Sequence, residues 1–98
     1  MEIEKILKLT IDELEKLSNM NLIEIFNFLA DNIELVQKEL KELADSIQNE
    51  PIEDDFFRMN IKKQEYKNKG LILLNSHNSY MDMQNKIFKI LTKRTGNL

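Results

Sequence analysis

The chain has 98 residues, 42% hydrophobic and 32% charged, which supports one domain or one simple helical module with its own core. Two glycines and one proline are too few turn residues for a β-rich fold, and the absence of cysteine removes disulfides, thiolate chemistry and thiol ligands. The net charge of −3 conceals an asymmetry: residues 1–50 carry 12 acidic and 5 basic side chains, whereas residues 51–98 carry 5 acidic and 9 basic ones. Complementary helical segments lying side by side, or head-to-tail dimers, account for that split; an acidic and a basic face for different partners is the functional alternative.

Residues 2–9 have the rhythm of an amphipathic turn or two, with Ile3, Ile6, Leu7 and Leu9 as positions to bury. The early Glu2 and Glu4 do not fit a signal peptide. Thr10 and Glu13 match a capping box, which predicts a short helix to about Ser18 burying Ile11, Leu14 and Leu17. Asn19-Met20-Asn21 reads as the next break, with Asn21 as N-cap and Glu24 three residues on.

From there Leu22, Phe26, Leu29, Ile33, Val36, Leu40, Leu43 and Ile47 step alternately by 4 and 3 residues. This is a heptad seam of roughly 39 Å on a long helix over 21–49. Its first half adds Ile23, Ile25, Phe28 and Leu35 and is wide enough to touch more than one neighbour. Its second half is narrow, flanked by Lys and Glu, and suits a two-helix seam. Glu34–Lys38 and Lys38–Glu42 are spaced for ion pairs on the outer side.

Glu50-Pro51 ends this helix, and Pro51 with Glu53, Asp54 and Asp55 favours a new helical start. The second long segment, 51–94, carries Phe56, Met59, Tyr66, Leu73, Tyr80, Ile87 and Leu91 in one register, with Lys63 interrupting it and His77 and Gln84 at seam positions. Gly70 and the weak helix formers Asn75, Ser76, Asn78 and Ser79 predict a kink or break within 70–79. An unbroken helix over 52–93 would run about 63 Å, longer than the Leu22–Ile47 seam can cover. Either it folds back, or its far end is covered by the N-terminal helices or by a second subunit. Fraying is expected after Lys93 or Arg94.

Chemistry finds little support. His77, the only histidine, stands among Asn and Ser, and Asp82 is not on its face at close range. Glu53-Asp54-Asp55 lacks the alternating oxygens and central Gly of a calcium loop, and Gly70 and Gly96 cannot make a phosphate loop. No catalytic, metal or cofactor residue is assigned, and no cofactor is expected. A helix-turn-helix can be drawn through 11–18 and the helix from Leu22, but no basic residue occurs between Lys16 and Lys38. Lys62, Lys63, Lys67, Lys69, Lys86, Lys89, Lys93 and Arg94 are the only nucleic-acid footprint, without an aromatic stacking platform. The apolar run Gly70–Leu74 is far shorter than the roughly 20 residues that cross a bilayer. The stretch Ile87–Leu91 is only mildly suited to a membrane surface.

The size and helical-hairpin habit resemble groups of small bacterial or phage proteins, including the small helical partners of type VII secretion substrates. The Trp-x-Gly turn that marks the best-known of those partners is absent here, as is any Trp. The reading is an all-α single domain over 1–98, a small antiparallel hairpin or bundle with coiled-coil character: short N-terminal helices over 1–20, then the two long segments. Its expected role is that of a cytoplasmic, non-enzymatic interaction protein contacting itself, as a dimer or higher assembly, or a larger helical protein. A nucleic-acid-associated regulator using the basic 58–94 half is one alternative and a small helical partner of a secreted or phage-encoded protein another; nucleic-acid and membrane partners are both disfavoured.

Overall fold

The computed structural model describes residues 1–50 and 56–96, Phe56 through its backbone alone. Four helices follow one another: α1 (Ile3–Leu7), α2 (Ile11–Glu15), α3 (Asn19–Gln48) and α4 (Phe56–Thr95). The long pair, α3 and α4, forms an antiparallel hairpin, and the short pair packs on α4 at its C-terminal end. The result is a rod of 62 × 23 × 20 Å, four helices thick at the base and two at the distal end.

Local chemistry places the helix starts. The Thr10 hydroxyl accepts from the Glu13 amide at 3.2 Å while the Glu13 carboxylate accepts from the Thr10 amide at 3.1 Å, the capping box expected there. The third long-range start differs from expectation. Ser18, not Asn21, caps α3: it sits in extended backbone and its hydroxyl accepts from the Asn21 amide at 3.1 Å. Asn19-Met20-Asn21 is therefore the first turn of α3, and the break lies at 16–18. At the other terminus Gly96, at φ 75°, follows Thr95 in the left-handed conformation that only glycine adopts freely, and its amide donates to the Lys93 carbonyl at 3.2 Å.

The core has two parts. At the base, Ile6, Leu14, Leu22, Ile25, Leu29, Met83, Ile87 and Ile90 are buried in one cluster drawn from all four helices. At the distal end, Val36, Leu43 and Leu73 form a second, smaller cluster with half-buried Leu40, Tyr66 and Tyr80 around it. The wide and narrow halves of the α3 stripe thus meet different surroundings, four helices and then two. Of the extra apolar residues in its first half, Ile25 is buried and Phe28 half-buried, while Ile23 and Leu35 remain exposed.

The break expected within 70–79 is absent: α4 is helical without interruption from Phe56 to Thr95. The physical reason is that Leu73 and Met83 are buried and Tyr80 half-buried on either side of the weak formers. Packing of that face outweighs the few tenths of a kcal/mol that Asn and Ser each forfeit. Gly70 is accommodated for a similar reason, lying over the Leu43 side chain. The surplus length of α4 is covered by α1 and α2, one of the three solutions open to the sequence. Ile11, expected inside, is 52% exposed: as the first residue of α2 it lies at the edge of the contact with α4, in an open hollow beside Ile90 and Lys93. The ion pairs of Lys38 with Glu34 and Glu42 do not form. The start signals at Pro51, Glu53, Asp54 and Asp55 fall outside the described residues.

Candidate interaction surface

Of the fifteen seam positions, Leu22, Leu29, Ile33, Val36, Leu43, Leu73 and Ile87 are buried, and Phe26, Leu40, Met59, Tyr66, Tyr80 and Leu91 are half-buried. Phe56 opens α4, its side chain outside the described set. Ile47 departs from the expectation of burial and is 50% exposed. It lies in an open groove with Lys63, Tyr66, Lys67, Leu71 and Leu74, where Gly70 offers no side chain to cover it. The seam is therefore occupied by the contact between the chain's own two long helices. A surface for another molecule has to be sought outside it.

Polar contacts fix the register of the hairpin. Gln37 Nε2 and His77 Nε2 lie 3.5 Å apart near its middle, and the Gln84 amide donates to the Phe26 carbonyl at 3.2 Å. At the base, the Arg94 guanidinium donates to the Glu15 carbonyl and to Asn19 Oδ1, both at 2.7 Å, tying the end of α4 to the α2–α3 junction. At the distal end, Lys62 and the Tyr66 hydroxyl both donate to the Glu50 carboxylate, the latter at 2.7 Å. These two donors hold the Glu50 carboxyl below its ordinary value, and the same carboxylate pushes the Tyr66 phenol above its own.

The two flanks of the hairpin are unlike. On one, α1 and α2 cover the side carrying Ile25, Met83 and Ile90. The other flank, marked by Gln37 and His77, is uncovered. Along it α4 repeats Leu74, Met81 and Phe88 every seven residues, interleaved with Gly70, His77, Gln84 and Leu91. Leu74 is 48% exposed, Met81 39% and Phe88 60%. Near its distal end the strip deepens into an apolar groove of Ile47, Leu43, Gly70, Leu71 and Leu74, with Lys63 and Lys67 on its rim. The groove exists because Gly70 presents no side chain there.

Sequence reasoning missed this strip, although its signal was present. Leu74, Met81 and Phe88 follow the seam residues Leu73, Tyr80 and Ile87 by one position each. A second apolar stripe beside the first was legible as a seven-residue recurrence. Met83 and Ile90, also seven apart, widen the face on the other side and are the positions that α1 and α2 bury.

The other chemistries gain no site. Among the described residues no polar side chain is buried, and no group of three or more His, Asp or Glu is arranged to hold a metal ion. His77 faces Gln37. The basic residues divide: Lys62 is bound to Glu50 and Arg94 to the α2–α3 junction, and the rest are spread around α4. Among the described residues no helix is long and apolar enough to cross a membrane. Comparison with protein families, with characterised proteins and with solved structures finds no match for this chain.

Proposed function

We propose that this chain is a non-enzymatic helical interaction protein, an adaptor, regulator or small assembly subunit working in the cytoplasm through helix–helix contacts. The observation that carries this reading is the uncovered strip of Leu74, Met81 and Phe88 running along a hairpin whose core is otherwise closed. Scattered exposed apolar residues are normal, whereas an aligned strip with helical repeat is what a partner helix seats on. The base and the cross-hairpin contacts make the hairpin a rigid support for that strip.

The test is the pair Leu74→Glu and Met81→Glu, which alter exposed positions and should leave the melting temperature nearly unchanged. Wild-type protein is expected to bind itself or a defined protein at micromolar concentration, and the variants to lose that binding. If no protein, this chain included, binds in a way these substitutions weaken, the reading fails. A salt-sensitive affinity for nucleic acid, measured by anisotropy at two ionic strengths, would move the function to the basic half of α4 instead.

A further inference from the structure

The uncovered flank has a symmetry of its own. Gln37 and His77 face each other, so they stand at one height on the rod. On α3, Ala30 and Ala44 lie seven residues either side of Gln37, and Glu34 and Lys41 lie evenly about the midpoint of Gln37 and Lys38. On α4, Gly70 and Gln84 lie seven residues either side of His77. Leu74 and Met81 lie evenly about the midpoint of His77 and Asn78, and so do Lys67 and Phe88. The centres on the two helices coincide at the Gln37–His77 contact.

We propose that a second copy of this chain covers this flank, antiparallel to the first, about a two-fold axis at Gln37 and His77. The proposal rests on the interaction reading above and names its partner. A two-fold axis in the plane of contact and perpendicular to the helices reverses each helix upon its copy. It sets Ala30 over the copy's Ala44, so the α3 helices approach closely. It sets Glu34 beside the copy's Lys41, twice per dimer, opposite charges both exposed in the single chain. It sets Leu74 over the copy's Met81 and the Lys67 stem and ammonium over the copy's Phe88 ring. Pairing about an axis along the rod would instead lay each α3 over the copy's α4, and Glu34 would not meet the copy's Lys41. The contact would run about 32 Å along α4 from Lys67 to Phe88, and the two-helix distal half of each hairpin would lie against the base of the other.

The cysteine-free sequence makes the test direct, since single cysteines report neighbours without background. His77→Cys, on the axis, is expected to form a disulfide-linked dimer under mild oxidation. Ala30→Cys and Ala44→Cys are each expected to stay unlinked alone and to cross-link when mixed. Glu34→Lys should weaken the dimer about ten-fold or more by creating two like-charge contacts, and adding Lys41→Glu should restore it. Circular dichroism melts show whether each variant folds. Self-linking of Lys63→Cys, or of Ala30→Cys alone, would overturn the antiparallel register. A folded monomer that holds a different protein on the Leu74–Phe88 strip would overturn the second-copy proposal and leave the interaction reading standing. A folded monomer that holds nothing would overturn both.

Discussion

Glu50 is the side chain on which the distal end of the hairpin closes, because it receives both Lys62 and Tyr66 from α4. Its carboxyl is held below the ordinary value of 4.5. Its contribution to stability is therefore complete above that unfolded-state value and is lost as the pH falls through the lower folded one. Tyr66 is shifted up from 10.0, so its neutral hydroxyl contributes fully below that value and is lost as the pH climbs through the raised one. Glu50→Gln should shrink both limbs, and ultraviolet titration of tyrosinate should show one phenol returning towards its ordinary range. An unchanged titration would place the hydroxyl elsewhere. Two further residues carry opposite expectations. Thr10→Ala removes the capping box and should cost about 1 kcal/mol, about 4–8 °C in melting temperature. Gly70→Ala should stabilise the monomer by about 0.5–1 kcal/mol. A Cβ there meets Leu43 Cδ2 at 3.6 Å, an ordinary contact, and shortens the entropy loss of a helical glycine.

At the scale of elements, α3 is one helix in two settings, and substitutions should register the difference. Leu29→Ala or Ile87→Ala, both fully buried at the base, should cost about 2–5 kcal/mol. Leu40→Asp should destabilise more than Glu42→Ala, since Leu40 packs on the distal cluster and the Glu42 side chain is in solvent. Denaturant melts giving the reverse order would displace the seam. The heptad of α3 and its change from wide to narrow were legible because each apolar position has one dominant environment. The start of α3 was less so: Ser18 and Asn21 each stand three residues before a suitable amide, and only the extended backbone at Ser18 decides between them. The continuity of α4 was hidden because Gly70 and the Asn-Ser stretch are weak formers by themselves, and the packing of Leu73 and Met83 that overrides them is long-range. Ile47 followed the sequence pattern faithfully yet lies half outside, because burial depends on what stands opposite, and there Gly70 offers no side chain to cover it.

At the scale of the molecule, the chain resolves its length mismatch internally at the base and leaves it open along one flank. α1 and α2 are short, with five residues each, and could not persist as free helices; Leu14 and Ile6 hold them to the core. Leu14→Ala should therefore loosen the whole base, exposing Met83 and Ile90, and hydrogen exchange should rise across α1 and α2 before it rises at Val36 or Leu43. The complementary halves of the sequence are partly satisfied within the chain, as Glu50, just beyond α3, with Lys62 of α4 illustrates. The apolar flank is not satisfied there, and the account stands on its being a contact surface and not a remnant of core. Sedimentation equilibrium at micromolar concentration, on the wild type, Met81→Glu and Ile72→Glu, tests this most directly. Ile72 is 66% exposed but lies off the flank. The account predicts association of the wild type, its persistence in Ile72→Glu and its loss in Met81→Glu, with all three melting alike. Association that Met81→Glu leaves intact, or that Ile72→Glu abolishes, would contradict it.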